Sequence, residues 1–88
     1  MKRDRLNIIY DILNKIRESN NKIKITPLLR YSNVSSSRFK QYFIELKNKE
    51  FISEVQIKND NYVELTEKGY RFLDKYRTII NFIDEFEL

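Results

Sequence analysis

Two helical segments separated by only a few residues constrain this chain more than any other feature. The first is expected over 26–31, where Ile25-Thr26-Pro27-Leu28-Leu29 opens a short apolar helix. Thr26 is placed to cap its free N–H groups, and Pro27 suits the first helical position because its missing N–H costs nothing there. Ser32-Asn33-Val34 then breaks the pattern, and Asn33 is the residue there that best tolerates a left-handed backbone. Ser35 reads as the N-cap of a second segment over 35–49.

That second segment is amphipathic. Phe39, Tyr42, Phe43 and Leu46 share one face, and at 100° per residue the opposite face carries Ser37, Gln41, Ile44 and Asn48. Lys40 and Lys47 flank the polar face on one side, Arg38 and Glu45 on the other. Ile44 is an apolar residue on a polar face; it suits either contact with a thymine methyl or cover by a neighbouring hairpin, and the hairpin is the favoured expectation.

The rest of the chain fits around this pair. Leu6, Ile9, Leu13 and Ile16 recur at helical spacing over 4–18, with Asp4 as cap, and Ile8 and Ile12 widen the stripe until two sides need covering. Over 52–66, Val55 and Ile57 alternate with Glu54 and Gln56, and Val63 and Leu65 with Tyr62 and Glu64. Lys58-Asn59-Asp60-Asn61 between them is turn chemistry, so the segment reads as a β-hairpin. Thr66 caps a last helix over 67–86. With no repeat, linker or low-complexity stretch, 1–88 is read as one domain, mainly α with a hairpin.

Helix, short helix, tight turn, helix, hairpin and long helix, in that order, fit a helix-turn-helix followed by a wing. The chain resembles archaeal winged-helix DNA-binding proteins with a C-terminal coiled-coil dimerisation helix, of the small chromatin-associated or transcription-regulator type. Three stretches carry the resemblance: Arg5-Leu6-Asn7-Ile8-Ile9-Tyr10-Asp11-Ile12-Leu13, Val34-Ser35 with Phe39-Lys40-Gln41-Tyr42-Phe43, and Leu65-Thr66-Glu67-Lys68-Gly69. One departure stands out. Members of such families commonly carry glycine before the apolar pair entering the wing, where this chain has Glu50 before Phe51-Ile52. A left-handed Glu50 would carry about 1 kcal/mol of strain.

The resemblance implies a third helix in the major groove of duplex DNA, where base edges are distinguishable. Ser35, Ser36, Ser37, Lys40 and Gln41 lie at its start. Gln41 has the donor and acceptor for bidentate pairing with adenine, while serine hydroxyls suit phosphates or bases. Arg38, Lys40 and Lys47 are expected at phosphates, as flexible cations need no fixed geometry. Lys58, Asn59 and Asn61 at the wing tip, and a basic arm of Lys2, Arg3 and Arg5, complete the expected contacts.

Charge is distributed accordingly. Residues 1–50 hold 12 Lys/Arg against 5 Asp/Glu, a net +7, while residues 51–88 hold 5 against 8, a net −3. A basic half suits a polyanion. With only 88 residues and no cysteine, the core is small and lacks disulfides, which points to self-association. The last helix supplies a surface for it: Phe72, Tyr76, Ile79, Ile83 and Phe86 form one row, with Leu73 and Ile80 beside it. A homodimer through this helix is expected.

An enzyme is not. The chain has no histidine or cysteine for a catalytic triad, thiolate or ordinary zinc site, and its one glycine, Gly69, makes no phosphate loop. Neither a cofactor nor a small-molecule ligand is expected. No apolar run is long enough for a membrane span or a signal peptide, so the expected location is the cytoplasm, at the nucleoid. The competing reading is a winged-helix module that docks an acidic protein partner, which the wing-side carboxylates Glu54 and Glu64 keep open.

Overall fold

The computed structural model describes residues 3–88. Its elements are α1 (Arg5–Glu18), β1 (Ile23–Lys24), α2 (Ile25–Ser32), α3 (Ser36–Asn48), β2 (Ile52–Ile57), β3 (Asp60–Leu65) and α4 (Glu67–Glu85). Four helices pack with a three-stranded antiparallel sheet of order β1-β3-β2. This is the winged arrangement expected from the order of segments.

Helix α1 is the centre of the core. Asp4 accepts a hydrogen bond from the Asn7 backbone N–H at 2.8 Å, satisfying one orphan donor of the first turn. Ile8, Ile9, Ile12, Leu13 and Ile16 are all buried, with α2, β3 and α4 packed around them. The wide stripe is therefore covered from several sides. Leu6, the first residue of the expected apolar row, instead faces out.

The short helix begins one residue earlier than its sequence suggests. Its N-cap is Lys24, extended at φ −74° and ψ 155°, and no side chain caps it. Thr26 therefore lies inside the first turn. The cause is β1, a strand of two residues that leaves no period in the sequence: Ile23 pairs with Val63 and Lys24 with Tyr62. That pairing holds Lys24 extended and delivers the chain directly into α2. Pro27 remains within the first turn, where backbone N–H groups lack helical partners anyway. The loop before β1 turns through two left-handed residues, Asn20 and Asn21, both at φ 59°. The Asn21 Oδ1 accepts the Leu65 N–H at 2.7 Å, tying this loop to the end of β3.

Asn33 ends α2 in the left-handed region at φ 55°, as expected, and the buried Ser32 before it donates its hydroxyl to the Leu29 carbonyl at 2.6 Å. Glu50 is also left-handed, at φ 63°. There the Glu50 N–H donates to the Lys47 carbonyl at 3.0 Å and the Phe51 N–H to the Leu46 carbonyl at 2.9 Å. These two bonds are the Schellman pattern, which usually carries glycine at this position. Glutamate holds it here at about 1 kcal/mol of strain.

The wing turn is tighter than the four residues read from the sequence. Ile57 pairs with Asp60, and Lys58 (φ 49°) and Asn59 (φ 71°) alone make the turn. Two central residues with positive φ are what a type I′ hairpin demands, because its twist matches that of the strands. Asp60 and Asn61 consequently belong to β3. The hairpin does not fold over Ile44, which remains 47% exposed.

Helix α4 begins with Thr66 accepting the Gly69 N–H at 3.2 Å. A Cβ on Gly69 would sit 2.3 Å from the Phe51 carbonyl oxygen, so the close approach of α4 to the wing entry requires glycine. Leu73 is buried in the core, Phe72 meets Phe51 edge-on at 5.6 Å, and Tyr76 stacks on Tyr10. Beyond Tyr76 the helix becomes mostly exposed, with Arg77, Ile80 and Asn81 facing a cleft against α1. The molecule measures 48 × 27 × 21 Å. No described helix is long and apolar enough to cross a membrane.

Candidate nucleic-acid interface

The start of α3 presents a continuous polar surface. Ser35 caps the helix, its hydroxyl accepting the Arg38 N–H at 3.3 Å and lying 3.4 Å from the Ser37 hydroxyl. Burial of Phe39 and Leu46 orients the helix, and Ser35, Ser36, Ser37, Arg38, Lys40 and Gln41 are all exposed on its other side. Tyr42 and Phe43 are half-buried at the margin. The Arg38 guanidinium lies 6.0 Å from the Tyr42 ring centroid. Lys40 makes no ion pair among the described residues.

The other expected phosphate ligands are held by carboxylates. Lys47 pairs with Glu54 of β2, bridging α3 to the wing. Arg3 pairs with Asp11 at 2.7 Å and also donates to the Ser32 carbonyl, tying the chain's start to the end of α2. Arg5 pairs with Glu45 of α3, and the same carboxylate accepts from Lys49 at 2.8 Å. Lys2 lies outside the described residues. At the wing, Lys58, Asn59 and Asn61 are exposed, and Lys24 of β1 reaches Asp60 at 3.6 Å.

Arg5, Arg38, Gln41, Tyr42 and Glu45 line one polar cleft of about 190 Å³ between α1 and α3. The hydrogen bonds from Arg5 and then Lys49 hold the Glu45 carboxyl down to about 2, and the same bond pushes Arg5 up. Both groups are fully ionised at neutral pH. By helical position alone Glu45 is only a flank of the polar face. Its spacing of four from Lys49 is a legible helix pair, but its partnership with Arg5, forty positions away, is a product of the fold.

The residues expected at a homodimer interface divide in two. Phe72, Leu73 and Tyr76 pack within this chain. Ile79, Ile80 and Phe86 are exposed and Ile83 is half-exposed, and Phe82, outside the expected rows, is exposed and meets Phe86 at a tilt, with ring centroids 4.9 Å apart. The second half of α4 thus carries an apolar surface that its own chain covers only in part: Ile80 lines a cleft with Tyr10 and Asp11 of α1, while Ile79, Phe82 and Phe86 face solvent.

Comparison with known proteins places this geometry. A family model described as winged helix-turn-helix matches residues 2–84. No curated protein sequence matches the chain significantly. Among solved structures, the chain is similar to Sso10a-2, a DNA-binding protein from Sulfolobus solfataricus, at 20% identity and a TM-score of 0.76, covering 97% of this chain and 86% of that one. It is also similar to a winged-helix DNA-binding protein from STIV, at 18% identity and a TM-score of 0.75, covering 90% of this chain and 91% of that one. A third similarity is to F-93 of SSV1, at 23% identity and a TM-score of 0.69, over 91% of this chain and 88% of that one. At these identities the likeness establishes a shared fold.

Proposed function

The chain belongs to the winged helix-turn-helix family, and from that premise we propose that it binds duplex DNA as a homodimer, with α3 in the major groove and the wing in support. The observation that carries this reading is the exposed start of α3. Six consecutive or near-consecutive polar residues, Ser35 to Gln41 apart from Phe39, face solvent on a helix whose back is locked into the core. A rigid helix with short hydroxyls, an amide and a free lysine at its tip has the dimensions and donors for base edges and phosphates. The descriptions of the Sulfolobus solfataricus and STIV proteins as DNA-binding support the same reading. The biological role is that of a transcription regulator or a chromatin-associated architectural protein, acting at the nucleoid.

Dimerisation rests on the second half of α4. A mostly exposed helix end carrying Ile79, Ile80, Phe82, Ile83 and Phe86 gains by burying them against a second copy. Two copies double the phosphate contacts and set a fixed spacing between half-sites.

The deciding experiment is fluorescence anisotropy with a random-sequence duplex across a salt series. Binding is expected to weaken with salt, with a log–log slope of about −0.9 per phosphate neutralised. A protein that ignores duplex DNA at low salt but captures acidic peptides belongs instead to the protein-docking class.

A further inference from the structure

The cations around α3 are unequally available. Lys40 stands free among the described residues, whereas Arg5 and Lys49 converge on one carboxylate, Glu45. Glu45 is one helical turn beyond Gln41 and lines the same cleft as Gln41 and Arg38. A fixed negative charge therefore sits beside the residues that would read bases, and it occupies one cation of α1 and the one at the C-cap of α3.

We propose that Glu45 is a specificity-determining residue that withholds Arg5 and Lys49 from DNA phosphates and so restrains sequence-independent binding. This rests on the duplex-DNA reading above. Backbone attraction is paid out equally to every sequence, and it supplies essentially all non-specific affinity. Base contacts from the start of α3 do not depend on Arg5 or Lys49. Removing two cations from the phosphate term while leaving base contacts intact widens the ratio between specific and random DNA, which is discrimination by weakening the wrong complex. The geometry suits this role. Arg5 comes from α1 and Lys49 from the C-cap of α3, so a single carboxylate collects cations from two elements. Both cations are themselves solvent-exposed, so once the carboxylate is removed neither is buried away from a phosphate.

The test compares wild type, Glu45→Gln and Glu87→Gln by anisotropy on random duplex from low to moderate salt. Glu87 follows α4, so its variant changes net charge equally without touching α3. Glu45→Gln is expected to bind more tightly, by about tenfold near 0.1 M salt, and to steepen the slope by about 0.9 for each freed cation that reaches a phosphate. Glu87→Gln is expected to leave the slope unchanged. Wild-type binding with an unaltered Glu45→Gln line overturns the proposal alone, as does an equal change from Glu87→Gln. Absence of binding by wild type and Glu45→Gln together overturns it along with the DNA reading. Glu45→Ala repeats the measurement should the glutamine variant fold poorly, because alanine is the best helix former and Glu45 lies outside the core.

Discussion

Tyr10 of α1 and Tyr76 at the midpoint of α4 stack with ring centroids 4.6 Å apart and planes 23° from parallel. Phe72 extends the stack, its ring 5.9 Å from Tyr76, and Phe51 meets Phe72 from the wing entry. The Tyr76 hydroxyl lies 3.0 Å from the Asn7 amide, and burial pushes its phenol above the ordinary value. This aromatic column marks where α4 stops contributing buried side chains to the core and becomes mostly exposed.

Tyr76→Ala is therefore expected to destabilise the monomer by about 2 kcal/mol, from lost apolar burial plus the stacking contribution. In a double-mutant cycle with Tyr10→Ala, the coupling is expected at about 0.5–1.5 kcal/mol. Urea unfolding of the four proteins measures it, and a coupling indistinguishable from zero contradicts the column as a stabilising unit.

Gly69→Ala tests the close approach of α4 to the wing. Helix propensity alone favours alanine by about 1 kcal/mol. The added Cβ, however, meets the Phe51 backbone carbonyl at 2.3 Å and a Leu65 methyl at 3.1 Å, and backbone cannot rotate away. The clash is expected to win, with a net loss of about 1–3 kcal/mol. A variant with a raised Tm would show that propensity decides here.

On α3, free and paired cations should behave differently. Lys40→Ala is expected to weaken binding to all duplexes alike and to shallow the salt slope by about one. Lys47, held by Glu54, is expected to have a smaller effect on alanine substitution. Gln41→Ala is expected instead to relax discrimination at one base position by about 1–3 kcal/mol. Selection of bound sequences from a random pool tests it: a preference unchanged by Gln41→Ala places the reading face elsewhere.

Acid stability follows from Glu45. Its folded-state value of about 2 lies below the ordinary 4.5, so its ionised form is favoured by folding. The contribution is fully present above pH 4.5 and is lost as pH falls through about 2. Glu45→Gln is accordingly expected to be less stable than wild type at neutral pH and to lose less stability between those limits. Thermal melts across that window measure the difference, which must narrow as pH falls.

Ile79 is 55% exposed and lies beyond the aromatic column, so its substitution should leave the monomer intact. Ile79→Lys places an unpaired charge in the apolar interface proposed for the dimer, at a cost of several kcal/mol. The expected result is a folded monomer with much weaker DNA binding. Sedimentation equilibrium decides it, and a wild-type chain that is itself monomeric at micromolar concentration removes the dimer.

Much of this architecture was local and hence legible. Asp4, Ser35 and Thr66 cap the helices they were expected to cap, because a cap is a bond between residues three apart. Asn33 turns left-handed because its own side chain tolerates that region. Apart from Leu6, which faces out, the buried row of α1 follows from helical period. What the sequence could not disclose depends on pairing across the chain. Strand β1 is two residues long, too short for any period, and exists only because β3 lies beside it; that pairing in turn moves the start of α2 from Thr26 to Ile25. The division of α4 into a core half and a mostly exposed half depends on where Tyr10 and Phe51 come to rest, not on the uniform spacing of its apolar rows. The sequence likewise left Arg5 and Lys47 as cations available to DNA. Folding set Glu45 and Glu54 against them, because charges distant in sequence interact only once tertiary packing brings them within a few ångströms.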